Sequence, residues 1–226
     1  MLKALLTDID GTITGPDRRL HTGSIEWIRS LADRGIRVVL ASGNSPCFMD
    51  ALCRMIGTDG TFIAENGGTF RIGFAGDLVV RGDLERVKTA LTVVREHFRQ
   101  QGTELELFSE NYRYADRAFA RTVPVDEVRA TLAGHPVEVL DTGYAIHLQT
   151  PGITKGSALA DLAPRMGLEP ADFLAIGDSC NDIQMLALAG CGVAVQNAHP
   201  DLKAVARSIT KKEYGDGFVE AMERYF

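Results

Sequence analysis

Two carboxylates stand two positions apart where an apolar run ends, in the stretch LLTDIDGT at residues 5–12. The run has the length and composition of a buried strand, and residues i and i+2 of a strand point to the same face. Asp8 and Asp10 would therefore repel each other, and a buried carboxylate without a partner is unfavourable. Either other parts of the chain compensate this pair, or the pair takes part in chemistry.

Three further polar clusters also follow apolar runs of strand length. They are Ala41-Ser42-Gly43-Asn44, Glu65-Asn66-Gly67-Gly68 and Gly177-Asp178-Ser179-Cys180-Asn181-Asp182. In open parallel sheets, ligands bind at the carboxyl ends of the strands. If the preceding strands are parallel neighbours, all of these clusters converge on one edge of the sheet.

Acidic side chains outnumber basic ones in the clusters, and they are Asp8, Asp10, Asp178 and Asp182. Mutual repulsion raises the pKa of such groups unless a cation joins them. Carboxylate oxygens suit a hard divalent ion, for which Mg²⁺ is the usual cytosolic choice. Because Mg²⁺ keeps several waters and commonly binds a substrate phosphate, the sequence predicts a phosphorylated ligand as well as a metal.

The same clusters contain groups that bind phosphate. Ser42 has a hydroxyl, Gly43 permits close approach of the backbone, and Asn181 has an amide. Lys155 stands in the first turn of a predicted helix, and its point positive charge suits phosphate. We therefore expect these residues to contact the phosphoryl group.

Strands and helices must alternate to bring the clusters together, and the outer parts of the chain predict this alternation. The strand-like runs KALLTD, RVVLASGN and TFIAENGG are separated by the helical patterns SIEWIRSLADRG and PCFMDALCRMIG. After Pro151 the alternation resumes with a helix capped by Thr154, followed by DFLAIGD, NDIQMLALAG and CGVAVQ. The pattern predicts an α/β fold with a Rossmann-like, mostly parallel sheet.

Residues 82–152 follow a different order. A helical pattern is followed by the strand-like runs TELELF and YRYADRAFA, and a second helical pattern is followed by VEVLD and YAIHLQT. Helix followed by paired short strands, twice, predicts a small antiparallel sheet with helices on one side. The expected organisation is an α/β core of residues 1–81 and 153–226 with an inserted α+β (αββ-αββ) domain at residues 82–152.

Several basic and aromatic residues of the insertion allow two interpretations. These residues are Arg113, Arg117, Arg121, Tyr112, Tyr114 and His147. They form either a face that contacts substrate or an ordinary solvated surface. Because strand alternation scatters them over both faces and exposed charges are common, the sequence favours the solvated surface.

The overall composition narrows the classes of partner. The 226-residue chain has a formal net charge of -6, which argues against nucleic acid, since that partner calls for basic surface. No window approaches about 18 uncharged apolar residues, and the first residues lack the apolar core of a signal peptide. We therefore expect a cytoplasmic protein that binds neither nucleic acid nor membrane.

Four of these features together resemble a known superfamily. DIDGT, the serine of LASGN, Lys155 and GDSCND resemble, in order and across nearly the whole chain, the four motifs of the haloacid dehalogenase superfamily. The ENGG stretch and the inserted αββ-αββ unit resemble its subgroup with a C2-type cap, which includes Cof-like and sucrose-phosphatase-like hydrolases. The short length, the DIDGT form and the small cap most resemble the archaeal-type phosphoglycolate phosphatases.

The resemblance implies a role for each matching acid. Asp8 would be the nucleophile that forms an aspartyl-phosphate, and Asp10 would be the general acid and base. Mg²⁺ would bind Asp8, the backbone carbonyl of Asp10, and Asp178. Asp182 would bind the ion directly or through water.

The resemblance also implies that Ser42 and Lys155 hold the transferring phosphoryl group and that Asn181 supports it. The implied protein is a Mg²⁺-dependent phosphatase acting on a small phosphorylated metabolite, with 2-phosphoglycolate first and a sugar phosphate second, and it is a monomer or a homodimer. Two alternatives stay open from the sequence: a phosphomutase or phosphotransferase of the same superfamily, and a phospho-accepting signalling module similar to a response-regulator receiver.

Overall fold

The alternating apolar and amphipathic segments form the expected elements in a computed structural model, which describes residues 2–226. In chain order the strands are β1 (Ala4–Asp8), β2 (Arg37–Ala41), β3 (Phe62–Ala64), β4 (Thr69–Arg71), β5 (Val79–Val80), β6 (Arg117–Ala120), β7 (Glu138–Asp141), β8 (Ala145–Gln149), β9 (Phe173–Gly177), β10 (Cys191–Ala194) and β11 (Ser208–Ile209). The α-helices are α1 (Thr22–Asp33), α2 (Pro46–Ile56), α3 (Leu84–Gln100), α4 (Val125–Thr131), α5 (Lys155–Arg165), α6 (Ile183–Leu188), α7 (Pro200–Val205) and α8 (Tyr214–Tyr225).

The larger sheet has eight strands in the order β11-β10-β9-β1-β2-β3-β4-β5. Pairing is parallel from β11 to β3 and antiparallel at β4 and β5. The predicted α/β class with a mostly parallel sheet is therefore confirmed. Because β1 pairs with both β2 and β9, the polar residues that follow these strands lie at one edge of the sheet.

Helix α5 begins where the sequence predicts it. Thr154 is the N-cap, its side chain accepts from the backbone N–H of Ser157, and the Ser157 hydroxyl accepts from the N–H of Thr154. This reciprocal capping box satisfies two backbone donors that a helix start otherwise leaves free. It also places Lys155 at the first helical position, beside the edge of the larger sheet.

The smaller sheet has three strands in the antiparallel order β6-β8-β7, and helices α3 and α4 pack on one face. Its apolar cluster includes Phe119, Ile146 and Leu148 from the strands and is separate from the cluster around the larger sheet. All of these elements lie between β5 and α5 in the chain. The residue boundaries 82–152 of an inserted domain stay a prediction.

One predicted strand in the insertion is wrong, and another is shorter than predicted. TELELF contributes only an isolated bridge between Leu107 and Phe119. The segment then turns away at Ser109, whose φ is 52°. YRYADRAFA extends only from Arg117 to Ala120, because the preceding backbone N–H groups donate to the carboxylate of Glu65 instead of to a strand. The first helix of the insertion is therefore followed by one regular strand, not by a pair.

No helix within residues 2–226 combines the length and the apolar composition needed to cross a bilayer.

Candidate active site

A cavity of about 720 Å³ lies where the carboxyl edge of the larger sheet faces the smaller sheet. Predicted site residues that line this cavity are Asp8, Asp10, Ser42, Gly43, Asp178 and Asn181. Residues from the smaller sheet and its loops, including Phe108, Arg113, Tyr144 and His147, form the opposite wall. The polar clusters at the ends of β1, β2 and β9 thus share one cavity.

A buried lysine holds the first aspartate of the site. Nζ of Lys155 donates to Asp8 Oδ1 at 2.5 Å and to Asp182 Oδ1 at 2.7 Å, and the lysine is fully buried. Burial works against its charge, but Asp182 and Asp8 outweigh that effect and raise the pKa of Lys155 above its ordinary value. The lysine is therefore charged, and it fixes the orientation of Asp8 from beneath. We call the acidic end of the cavity, at Asp8, Asp178 and Asp182, its floor.

Asp182 is buried and has hydrogen bonds at both oxygens. Its Oδ2 accepts from the backbone N–H of Asp178 at 3.1 Å and of Ser179 at 3.0 Å, while Oδ1 accepts from Lys155. These bonds hold the loop after β9 in place. They also favour an indirect contact of Asp182 with a metal over a direct one.

Asp178 lies at the floor of the cavity, beside the glycine of DIDGT. The Thr12 hydroxyl donates to Asp178 Oδ1 at 3.3 Å. Gly11 has a φ of +87°, and a Cβ at this position would collide with the Asp178 carboxylate, so only glycine fits. Burial, with the neighbouring charge of Asp182, raises the pKa of Asp178 to about 7.

The donor set of this floor fits a hard divalent cation. Asp8, Asp178 and Asp182 each offer a carboxylate oxygen, and these oxygens lie within 4.8 Å of one another. Burial raises the pKa of Asp8 well above its ordinary value, and Asp182 and Asp178 add to the effect. Within residues 2–226, only the ammonium of Lys155 balances these three carboxylates. A bound cation would reduce the repulsion among them, which otherwise favours their protonation.

Asp10 is exposed to the cavity and is held by a residue that the sequence did not single out. Nδ2 of Asn44 donates to Asp10 Oδ2 at 3.2 Å and to the Ser42 hydroxyl oxygen at 3.0 Å. The same hydroxyl oxygen accepts from the backbone N–H of Asn44, which leaves its proton available for a ligand. Asn44 therefore links the second acid of DIDGT to the serine of LASGN.

Asn181 and Gly43 both lie beside the side chain of Asn66. Nδ2 of Asn181 donates to Asn66 Oδ1 at 2.9 Å. A Cβ on Gly43 would lie 3.1 Å from that same Asn66 oxygen and 3.3 Å from Cε1 of His147. Gly43 thus lets the smaller sheet approach the end of β2 closely.

The solvated-surface interpretation of the insertion is wrong for three of its residues. Arg113, Arg117 and His147 are each no more than 6% exposed. Arg113 and His147 belong to a buried network at the cavity wall, and Arg117 donates to the carbonyl oxygens of Arg113 and Asp116. Arg121 is exposed, as expected, and pairs with Asp141.

The network joins the two sheets. Nη1 of Arg113 donates to Asp116 Oδ1 at 2.7 Å and to the carbonyl oxygen of Gly43 at 3.1 Å. The fully buried carboxylate of Glu65, from the turn after β3, accepts from the backbone N–H of Ala115 at 2.7 Å and of Asp116 at 3.0 Å. Asp116 also pairs with His147. The residues that fasten the wall thus come from both sheets.

A stacked group stands at another side of the cavity. The guanidinium of Arg18, from the loop after β1, lies 3.7 Å from the ring centroid of Tyr144. Tyr144 stacks on Phe108 with centroids 5.8 Å apart. The loop after β1 and the turn between β7 and β8 therefore touch across the cavity.

Two kinds of residue escaped the sequence reading. Asn44 and Asn66 stand inside the quoted clusters, so their place at strand ends was a usable signal. Asp116 gave no such signal, and for Arg113 and His147 the sequence favoured a solvated surface, because no local pattern distinguishes a buried pairing over 31 positions from exposed charge.

Three features suit phosphoryl transfer: an aspartate at the carboxyl edge of a mostly parallel sheet, a buried lysine beside it, and an excess of acids facing a second sheet. The chain belongs to the haloacid dehalogenase-like hydrolase family, whose profile matches residues 5–133 and 138–222. The resemblance to this superfamily is therefore confirmed.

Relatives support the same conclusion. The chain is 56% identical over 228 residues to a phosphoglycolate phosphatase of Methanoculleus marisnigri, covering 100% of this chain and 97% of the relative. It is 48% identical over 226 residues to a phosphoglycolate phosphatase of Methanospirillum hungatei, again covering 100% and 97%. A crystal structure from Thermoplasma acidophilum has a TM-score of 0.88 at 29% identity, covering 99% of this chain and 98% of that one.

The chain is thus an enzyme that hydrolyses phosphoric monoesters. The alternative of a receiver-like signalling module is overturned by the family match.

Proposed function

We propose that this chain is a Mg²⁺-dependent phosphatase that hydrolyses a small phosphorylated metabolite through an aspartyl-phosphate on Asp8, with 2-phosphoglycolate as the first candidate. The observation that carries the proposal is the position of Asp8, which lines the cavity while Lys155 holds its Oδ1 at 2.5 Å. A carboxylate fixed in this way is positioned for attack, which removes part of the entropic barrier. The names of the archaeal relatives support the substrate.

In the first half of the reaction, a carboxylate oxygen of Asp8 attacks phosphorus and the bond from phosphorus to the ester oxygen breaks. Asp10 gives its proton to the departing oxygen. In the second half, water attacks the aspartyl-phosphate, Asp10 accepts a proton from that water, and phosphate leaves Asp8. Because Asn44 occupies Oδ2 of Asp10, the other carboxyl oxygen is available to carry the proton.

The phosphoryl group would be held by the Ser42 hydroxyl, the backbone at Gly43 and the amide of Asn181, all of which line the cavity. Lys155 balances the charge of Asp8 from beneath the floor. Charge stabilisation of this kind is commonly the largest catalytic contribution in phosphoryl transfer.

Asp8, the backbone carbonyl of Asp10 and Asp178 would hold Mg²⁺, and Asp182 would support it. When bound, the ion supplies positive charge beside the transferring phosphoryl group. The acid excess of the floor and the raised pKa of Asp178, about 7, support a cation at this position.

The cavity volume is compatible with sugar phosphates, which are the second candidate class of substrate. At about 720 Å³ the cavity exceeds what a two-carbon acid needs and falls in the range of pockets for larger metabolites. A phosphomutase would use the same aspartate but would need an alcohol acceptor in place of water. The cytoplasmic location and the monomeric or homodimeric state stay predictions.

A phosphate-release assay tests the proposal. The purified protein is incubated with 2-phosphoglycolate and a panel of sugar phosphates, with Mg²⁺ or with EDTA, and without any alcohol acceptor. We expect release of phosphate from 2-phosphoglycolate with Mg²⁺ and none with EDTA. No release from any ester with Mg²⁺ present would contradict the proposal, and transfer of the phosphoryl group to an added alcohol without release of inorganic phosphate would favour the mutase or phosphotransferase.

A further inference from the structure

The cavity face of the smaller sheet presents His147 beside a short residue of the neighbouring strand. Side chains on β6 and β8 alternate between two faces. Phe119 and Ile146 are paired in register and point to the helices α3 and α4, where they join the apolar cluster. Ala118 and His147 are paired in register and point to the opposite face. Because alanine is short, the imidazole of His147 stands clear on the cavity side.

Buried partners fix both basic side chains of this wall. Nδ1 of His147 donates to Asp116 Oδ2 at 2.8 Å, and Nη1 of Arg113 donates to Asp116 Oδ1 at 2.7 Å. Nε of Arg113 donates to the carbonyl oxygen of Phe108 at 2.9 Å. Burial acts against ionisation of Asp116, but Arg113 and His147 outweigh it and lower the pKa of Asp116. Asp116 thus stays ionised and anchors a guanidinium and an imidazole with one side chain.

One nitrogen on each of these two side chains has no hydrogen-bond partner in the described part of the chain. Among residues 2–226, no hydrogen bond uses Nη2 of Arg113 or Nε2 of His147, and neither atom is among the buried unpaired ones. Both residues line the cavity. Donors that are fixed by other bonds and still face a cavity are arranged to bind a ligand.

This wall lies close to the proposed phosphate site. Nη1 of Arg113 donates to the carbonyl oxygen of Gly43 at 3.1 Å. A Cβ on Gly43 would lie 3.3 Å from Cε1 of His147. Because Gly43 belongs to the proposed phosphate site, a substrate bound there has this wall beside it.

We infer that Arg113 and His147, positioned by Asp116, form a second anion-binding subsite that receives a carboxylate of the substrate and selects phosphorylated carboxylic acids over phosphorylated alcohols. The inference rests on the proposed phosphatase function. Arg113 would donate to the carboxylate from Nη2, the guanidinium nitrogen that no hydrogen bond among residues 2–226 uses. His147 has Asp116 at one ring nitrogen and would have the substrate carboxylate at the other, which suits the doubly protonated ring.

Repulsion from the floor supports the same orientation. Asp8, Asp178 and Asp182 lie together there, so a second negative group on the substrate is unfavourable at that end. The wall is the part of the cavity where carboxylate charge meets guanidinium and imidazole. A neutral alcohol would gain less from the wall, because hydrogen bonds to charged groups are the stronger ones.

The test compares two esters that differ only at the far group. 2-Phosphoglycolate ends in a carboxylate, and 2-hydroxyethyl phosphate has a hydroxymethyl group in its place. For the unaltered protein with Mg²⁺, we expect kcat/KM to be about 10- to 100-fold higher for 2-phosphoglycolate. We expect Arg113→Lys and His147→Gln each to lower this selectivity ratio by about tenfold or more, chiefly through KM for 2-phosphoglycolate.

Arg121→Lys is the matched control, because Arg121 lies in the same sheet region but is exposed and does not line the cavity. Its selectivity ratio should equal that of the unaltered protein. Asp116→Asn should lower the ratio as the His147 variant does, which a role only in folding would not produce.

A measurement on the unaltered protein alone covers the case in which a variant does not fold. 3-Phosphonopropanoate should inhibit hydrolysis of 2-hydroxyethyl phosphate at least about tenfold more strongly than propylphosphonate does. Equal hydrolysis of both esters, or equal inhibition by both phosphonates, would overturn the subsite while the phosphatase function stands. No hydrolysis of either ester would overturn the proposed function, and the subsite with it.

Discussion

The floor and the wall of the cavity are both built on buried charge, but their balance differs. At the floor, one lysine faces Asp8 and Asp182, with Asp178 beside them, so acids are in excess. At the wall, Asp116 is matched by a guanidinium and an imidazole. The floor is therefore suited to take up a cation, and the wall is suited to take up an anion.

This difference separates two tasks. A site with unbalanced acids attracts a metal and, with it, a phosphoryl group. A network of hydrogen-bonded buried charges instead holds its remaining donors in fixed positions. The floor would carry the chemistry and the wall would choose the substrate. Changes at the floor should then act on every ester, and changes at the wall should act on some esters only.

The largest effect on activity is expected when the nucleophile of the floor is removed. Asp8→Asn should lower kcat for phosphate release by more than about 1,000-fold on every ester, because it removes the nucleophile and little volume. Steady-state kinetics with Mg²⁺ measures it. Asp33→Asn, an exposed acid on α1, is the control and should be unchanged. Activity of the Asp8 variant within about tenfold of the parent would remove the assignment of the nucleophile.

A smaller effect is expected at the second acid. Asp10→Asn should slow hydrolysis of an alkyl phosphate by about 100- to 1,000-fold, since the leaving oxygen then receives no proton. p-Nitrophenyl phosphate should be affected less, because its leaving group needs no protonation. The comparison of the two esters is the measurement, with Asp17→Asn on the same exposed loop as the control. An equal loss on both esters would argue against the general-acid role.

Local sequence patterns predicted the residues of the floor but not those of the wall. Asp8 and Asp178 follow apolar strands directly, so strand prediction and the rule for parallel sheets locate them together without any long-range information. Thr154 at a helix start likewise predicts the position of Lys155. The lysine's burial between two carboxylates required the structure, because a single lysine on a helix is ordinarily solvated.

The wall depends on contacts that no short pattern contains. Glu65 accepts from Ala115, a residue 50 positions away, and this contact replaces the first part of the strand that YRYADRAFA predicts. Arg113 is buried because Asp116 and Gly43 bind it, and alternation along a strand gives no information on either partner. Prediction therefore failed where tertiary hydrogen bonds override local propensity.

Metal binding offers a stability test of the floor alone. Mg²⁺ at about ten times its Kd should raise the free energy of unfolding by about 1.4 kcal/mol, because it binds the folded state only. Asp178→Asn should lose most of this gain. Asp201→Asn is the matched control, since Asp201 belongs to a separate, exposed group of possible ligands. Urea denaturation followed by circular dichroism measures the effect, and an equal Mg²⁺ gain in both variants would place the ion elsewhere.

The smallest expected effect is on stability and concerns Glu65, whose side chain accepts from the backbone of the wall. Burial, with the nearby charge of Asp116, raises the pKa of Glu65 from 4.5 to about 7. Between these values the folded state holds a proton that the unfolded state lacks. The stabilisation is therefore fully present below about pH 4.5 and is lost as the pH rises through about 7.

The free energy of unfolding should thus fall by about 1 kcal/mol between about pH 6 and pH 8 through this one group. Asp178 titrates in the same range, so the measurement is made with Mg²⁺ at saturation and compares the parent with Glu65→Gln. The variant should show the flatter pH dependence, because glutamine does not titrate. The selectivity ratio between the two esters should change little with Glu65→Gln, since Glu65 does not line the cavity. Identical pH slopes for parent and variant would show that the carboxylate is ionised throughout, and the wall would then be fastened to the core by a charge.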